Sequence, residues 1–146
     1  MADPRLVEVL EELVVGAVGM TTVALSEFTP AADLTLPQWR ALLVVSRADE
    51  GVRVGAIGAR IGTTLPSASR LVRRLERRGL VASERDETDR RGTVVRVTPA
   101  GHALFTSLVE YRRHLIAELL DGIPGPLPAG LVDDLERVGR AFARYA

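Results

Sequence analysis

A chain of 146 residues is long enough for one domain with a core of its own, and the absence of cysteine excludes disulfides, thiolate metal sites and thiol redox sensing. All nineteen basic residues are arginine, which removes phosphate-loop, Schiff-base and kinase lysines together. The net charge of zero hides a division: residues 1–52 carry three arginines against eight acids, residues 53–96 eleven against five, and residues 97–146 five against six, so a basic middle suited to a polyanion lies between acidic flanks.

From Arg5 to about Phe28 the sequence reads as a helix, with Leu6, Leu10, Leu13, Val14, Ala17 and Val18 recurring at three and four. It is apolar over much of its circumference, so it is expected to be buried on more than one side, within the domain or between subunits. The uncharged stretch LVVGAVGMTTVAL, residues 13–25, has thirteen residues, short of the roughly 18 to 20 a bilayer span needs. Its N-terminal flank carries Glu8, Glu11 and Glu12 where a signal peptide carries positive charge, so a soluble, cytoplasmic protein without a membrane partner is expected.

Pro30 stops the first helix, and a loop through Asp33 leads to Thr35, Pro37 and a second helix, QWRALLVVSRA, ending near Asp49-Glu50-Gly51. Val52 to Val54 allows a small strand. VGAIGARIG is weakly helical because of its glycines, yet Ala56, Ile57, Ala59 and Ile61 suit a short packed helix, with Gly62 where a φ > 0 is needed.

Thr64 is the N-cap of the next helix, with Pro66 in the first turn. At helical spacing Ala68, Leu71, Val72 and Leu75 share one face. The opposite face carries Pro66, Arg70, Arg73 and Arg77, flanked by Ser67, Ser69 and Arg74. A short helix, a glycine turn and this longer helix make a helix-turn-helix, and Leu80–Arg85 and Thr93–Thr98 read as two strands around the charged loop DETDRRG, giving the winged-helix order. Thr98-Pro99 then starts a helix running to about Asp121, IPGPLPAG breaks it, and a last helix carries Leu131, Leu135, Val138 and Phe142 on one stripe.

A charged outer face is often only solvated: Arg77 and Arg78 suit a helix C-terminus, and Glu76 can pair with neighbouring arginines. Position separates the readings. Ser67, Ser69 and Arg70 lie in the half of a recognition helix that enters the major groove, where arginine reads guanine O6 and N7. Arg73, Arg74 and Arg77 would hold phosphates, and Arg90 and Arg91 at the wing tip could enter a narrow minor groove, with Asp89 close enough to support them. Gly55, Gly58 and Gly62 do not have dinucleotide-loop spacing. His114 beside Glu118 reads as a helix-surface ion pair rather than a metal site, and the serines have no nucleophile elbow.

The span from Leu34 to Gly101 resembles the MarR family of winged-helix transcription regulators, through LTLPQWRALLVVS, IGARIGTTLPSASRLVRRLERRGLV and ETDRRGTVVRVTPAG. The resemblance implies an obligate homodimer joined by its terminal helices and binding a pseudo-palindromic operator, usually as a repressor released by a small molecule. It puts Pro66, Ser67 and Arg70 at base-contacting positions and Arg91 at the minor-groove wing arginine, with Asp89 supporting it. Trp39 is expected to pack in the core, and the resemblance also makes it the candidate effector-binding residue, because the crevice there holds effectors in this family. Gly55 and Gly58 depart from the alanines or larger residues usual there, which predicts a looser first helix of the motif.

The expected fold is mainly α with a small antiparallel β-wing. Residues 35–98 form the winged helix-turn-helix DNA-binding module, and residues 1–34 and 99–146 a helical dimerisation region of the same protomer. The expected function is a homodimeric DNA-binding transcription regulator, a repressor modulated by a small-molecule effector. Double-stranded DNA, a second copy and that effector are the partners; no cofactor, metal or enzymatic activity is expected. The alternative is a winged-helix protein-interaction module that uses its basic face on an acidic protein.

Overall fold

Oxygen-bearing caps start four of the helices. The computed structural model describes residues 3–28, 30, 33–85 and 92–143. Asp3 accepts the Arg5 N–H at the head of α1 (Pro4–Glu27), and Thr35 and Gln38 form a reciprocal capping box on α2 (Leu36–Ser46). Thr64 caps α4 (Leu65–Arg77) and Thr98 caps α5 (Pro99–Asp121), each with a proline in the first turn. Helix α2 starts at Leu36, two residues before Gln38, because Pro37 fits inside the first turn rather than ahead of it.

Between α2 and α4 lie β1 (Val52–Arg53) and α3 (Val54–Ile61); β2 (Val81–Arg85) and β3 (Thr93–Val97) follow α4, and α6 (Leu131–Phe142) closes the chain. The antiparallel sheet has the order β1-β3-β2, with Val52 opposite Val95, Val81 opposite Val97 and Arg85 opposite Thr93. Thus β1 is a third strand on the wing, a pairing its two residues could not announce in the sequence.

The core gathers Leu42 and Val45 of α2, Ile57 of α3, Leu75 of α4, Val95 of β3 and Leu108 of α5, all fully buried. Within α3 the packed residues are Ile57, Gly58 and Ile61, whereas Ala56 and Ala59 are exposed. Gly58 sits at a close approach between α3 and α4, whereas Gly55 has open space beside it. A Cβ at Gly58 would lie 3.1 Å from the Thr63 carbonyl and 3.3 Å from the Ala68 Cβ, so the missing methyl is what lets α3 lie against α4. Gly62 turns the chain at φ +71°, and Arg40 of α2 donates to the Ile61 and Arg60 carbonyls at 3.2 and 3.3 Å, placing a cation on the end of α3.

The terminal helices are far less covered than the winged unit. In α1 only Ala24 and Leu25 are buried, and among the described residues none of α6 is. Leu13, Val15 and Val18 stand 55%, 64% and 49% exposed, and Val132 of α6 70%. With a window that admits up to two charged residues, α1 is long and apolar enough to cross a membrane by length and composition alone. That corrects the estimate from the strictly uncharged run.

Candidate nucleic-acid interface

Helix α4 buries Ala68, Val72 and Leu75 and leaves Pro66, Arg70, Arg73, Arg74 and Arg77 in the open. Its first turn is internally ordered. Thr64 Oγ1 accepts the Ser67 N–H at 3.4 Å and shares a hydroxyl–hydroxyl hydrogen bond with Ser67 Oγ at 3.2 Å, and Arg70 Nη2 donates to the same Oγ at 2.9 Å. The guanidinium is therefore held over the helix N-terminus, the end a recognition helix turns toward base edges. Among the described residues Arg73, Arg74 and Arg77 make no ion pair, and Glu76 does not neutralise them. Their N–H groups stay available to an anion.

Ser69 turns sideways. It lines a cleft of about 440 Å³ between the start of α3, the first turns of α4 and β3, with Gly55, Leu65 and Thr93 among its walls. Arg73 lines a smaller cavity with Glu76, Ser83 and Thr93, between α4 and the hairpin. The structure thus brings together Thr64, Pro66, Ser67 and Arg70 at one end of α4 and sets Ser69 and Arg73 toward the wing base, with Arg74 and Arg77 further along the helix. The expected wing residues Asp89, Arg90 and Arg91 lie outside the described residues.

Trp39 is 2% exposed and stacks on Phe105 of α5 with ring centroids 5.5 Å apart. A cavity of about 200 Å³ opens at the nearby seam, lined by Thr22, Leu25 and Ser26 of α1 and by Leu34, Thr35 and Leu36. His114 Nε2 lies 3.4 Å from Glu118 Oε1, the surface pair expected, and the described residues hold no group of three metal-ligating side chains.

Two features that position α4 have no clear mark in the sequence pattern. Arg40, which reads only as part of a helix, caps α3 from α2 across twenty-one residues of chain, a separation with no local signal. Gly101, inside α5, packs against the Leu80 carbonyl where a Cβ would collide; a glycine three residues past an N-cap was the available sign. Thr98 adds a second tie, donating from Oγ1 to the Gly79 carbonyl at 2.6 Å.

Residues 32–92, which contain α2 to the base of the wing, match the sequence profile of the MarR family. Over that segment the chain is similar to the MarR family. An uncharacterised HTH-type transcriptional regulator of Bacillus subtilis (strain 168), YfiV, is 31% identical over 78 residues, which are 53% of this chain and 48% of that relative. The match therefore spans about half the length of the curated relative. Solved structures carry the likeness over nearly the whole chain. RV1404 of Mycobacterium tuberculosis superposes with a TM-score of 0.79 at 21% identity, covering 97% of this chain and 95% of the other. FabT of Streptococcus pneumoniae, solved in complex with DNA, does so at 0.70 and 18%, covering 94% and 90%. CouR of Rhodococcus jostii RHA1, solved bound to p-coumaroyl-CoA, gives 0.67 and 23%, covering 93% and 92%. At these identities the shared property is the fold, so the terminal helices of this chain share the fold of those structures although the sequence profile covers only the winged unit.

Proposed function

We propose that this chain is a DNA-binding transcription regulator of the MarR type, working as a cytoplasmic homodimer. The observation that carries the reading is the exposed end of α4, where Arg70 is held by Ser67 while Arg73, Arg74 and Arg77 have no ion-pair partner among the described residues. Arg70 would discriminate bases, and the later arginines would hold phosphates and set register. The cleft beside Ser69 gives a sugar-phosphate strand room between helix and wing. Arg90, Arg91 and Asp89 complete the reading as the minor-groove wing.

The dimer rests on physical need. Residues 1–34 and 99–146 carry Leu6, Leu13, Val15, Val18, Leu119, Val132 and Leu135 at about half exposure or more, a surface a second copy would cover. Two copies of α4 would then enter successive major grooves about 10 base pairs apart, on a pseudo-palindromic operator. Repression relieved by a small molecule is the regulatory reading, supported by the ligand-bound neighbour and by the seam cavity between α1 and the start of α2, whose lining does not include Trp39. A ligand in that seam acts only through its differential affinity for the dimer geometry that fits DNA.

The test is a duplex titration at several salt concentrations. About three phosphate contacts per protomer give a slope of log affinity against log salt near −5. A slope near zero, with tight binding to an acidic protein instead, would favour the interaction-module alternative.

A further inference from the structure

Exposed apolar side chains are not spread evenly over the chain. Among the described residues the large ones lie on α1, on α5 from Ile116 onward, on the segment after it and on α6, the regions a second copy would cover, with one exception. Leu65, the first residue of α4, stands 58% exposed within the winged unit. It belongs neither to the buried core nor to the apolar residues packed against it, so it adds little to the stability of the protomer. Thr64 caps this helix through the Ser67 N–H and Pro66 supplies the first-turn proline, so a polar residue at position 65 would start α4 equally well.

A single exposed leucine on a protein surface needs no partner by itself. The place of this one supplies a partner. The first turn of a recognition helix faces the major groove, where base edges present hydrogen-bonding groups and one apolar feature, the C5-methyl group of thymine. We infer that Leu65 is a base-contacting residue that packs on a thymine methyl, so that α4 selects thymine at one step of each half-site. This rests on the DNA-binding reading above and adds an apolar contact to the arginine contacts named there. Cytosine, the other pyrimidine, presents no methyl to the groove, and the contact discriminates against it.

Leu65 and Ser69, four residues apart, line the same cleft with Thr93 of β3, so the leucine stands on the wing side of the helix. Arg70 follows five residues later, about 140° around the axis, with its guanidinium held by Ser67. The two side chains diverge. The thymine therefore belongs to a different base pair from the guanine assigned to Arg70.

The experiment uses the whole chain and the duplex it enriches from a random pool, with each thymine of the enriched site replaced in turn by deoxyuridine, which removes the methyl and keeps the base pair. One replacement per half-site is expected to weaken the wild type about fourfold, the scale of one buried methyl group, and the others to cost little. In Leu65→Ala that same replacement should cost less than about 1.5-fold, because the side chain that met the methyl is gone. The variant's thermal midpoint and its affinity for random duplex should match the wild type, since Leu65 lies outside the core. An enriched site without thymine, a wild type indifferent to every deoxyuridine, or an equal penalty in wild type and Leu65→Ala overturns the contact. So does a Leu65→Ala loss that is the same on all duplexes, random ones included, which would put the leucine on the sugar-phosphate strand. If the wild type enriches no sequence at all, the DNA-reading proposal itself fails, an outcome separate from these.

Discussion

Gly101 of α5 lies directly against the carbonyl oxygen of Leu80, the residue that joins α4 to β2. The Thr98 N–H donates to that same carbonyl at 3.1 Å, so the head of α5 is bolted to the exit of α4. The long terminal helix and the arginine-bearing helix therefore move together, which is what a dimer-spacing mechanism requires. Gly101→Ala would drive a methyl into backbone that cannot rotate away. The expected loss is about 3 kcal/mol, the upper end for overpacking, read as the midpoint shift in urea denaturation. A change below about 0.5 kcal/mol would mean the contact relaxes freely.

The arginines of α4 should divide into two classes. Arg70→Ala is expected to cost about 1–3 kcal/mol on a preferred duplex and little on a random one, so discrimination falls. Arg74→Ala and Arg77→Ala should weaken all duplexes alike, and each should make the salt slope shallower by about 1 for every phosphate the protein no longer neutralises. Titration of preferred and random duplexes at several salt concentrations distinguishes the classes. Identical behaviour of the three variants would contradict the assignment of bases to the first turn.

Tyr111 of α5 donates to Glu27 of α1 at 3.1 Å and stacks on Phe28, tying the end of α1 to α5. Its phenol is pushed above its ordinary 10.0 by desolvation first, then by the Glu27 hydrogen bond and charge and by the charge of Glu118. The folded state thus holds the proton more tightly than the unfolded state. This contribution to stability is complete below pH 10.0 and is lost as pH rises through the elevated folded value. Tyr111→Phe should be less stable than the wild type at neutral pH and lack this part of the alkaline decline. Thermal melts between about pH 9 and pH 11 show it; superimposable profiles for the two proteins would remove Tyr111 from the tie.

Helix α6 has no buried residue of its own among those described, so a charge at its exposed apolar residues tests what covers them. Val132→Glu and Leu135→Glu, at positions 70% and 50% exposed, should barely disturb the protomer fold but shift the sedimentation coefficient from dimer to monomer. Duplex affinity should fall by roughly a hundredfold or more, the scale of the linkage between two half-sites. A dimer that persists in both variants would place the interface elsewhere.

Trp39 offers an optical reading of the seam. It is the single tryptophan, packed on Phe105 near the cavity at Thr22 and Leu34. A phenolic ligand that enters this seam should change its emission and, in the same concentration range, lower duplex affinity. A ligand that alters the emission while leaving duplex affinity untouched is not the effector.

Much of this fold was legible because its helix starts are written in local chemistry. Thr35, Thr64 and Thr98 act as caps with Pro37, Pro66 and Pro99 just inside, and Gly62 adopts the φ +71° expected of it. The stripe of Ala68, Val72 and Leu75 faces the core, as its period predicts. What the sequence hid was contact at a distance. Gly58 suggested looseness because a glycine weakens an isolated helix, whereas its role is set by Thr63 and Ala68 across the turn. The pairing of β1 with β3 depends on strands about forty residues apart that only the closed hairpin brings together. At the head of α4 the residue types were visible but the Arg70–Ser67 hydrogen bond was not, because it depends on the rotamers of both side chains.

The most direct measurement of the central claim is selection of bound duplexes from a random pool by the wild-type protein. The account predicts an inverted repeat whose half-site centres lie about 10 base pairs apart, with a guanine in each half-site. Recovery of unselected sequence, or of lone half-sites bound as tightly as paired ones, would contradict it.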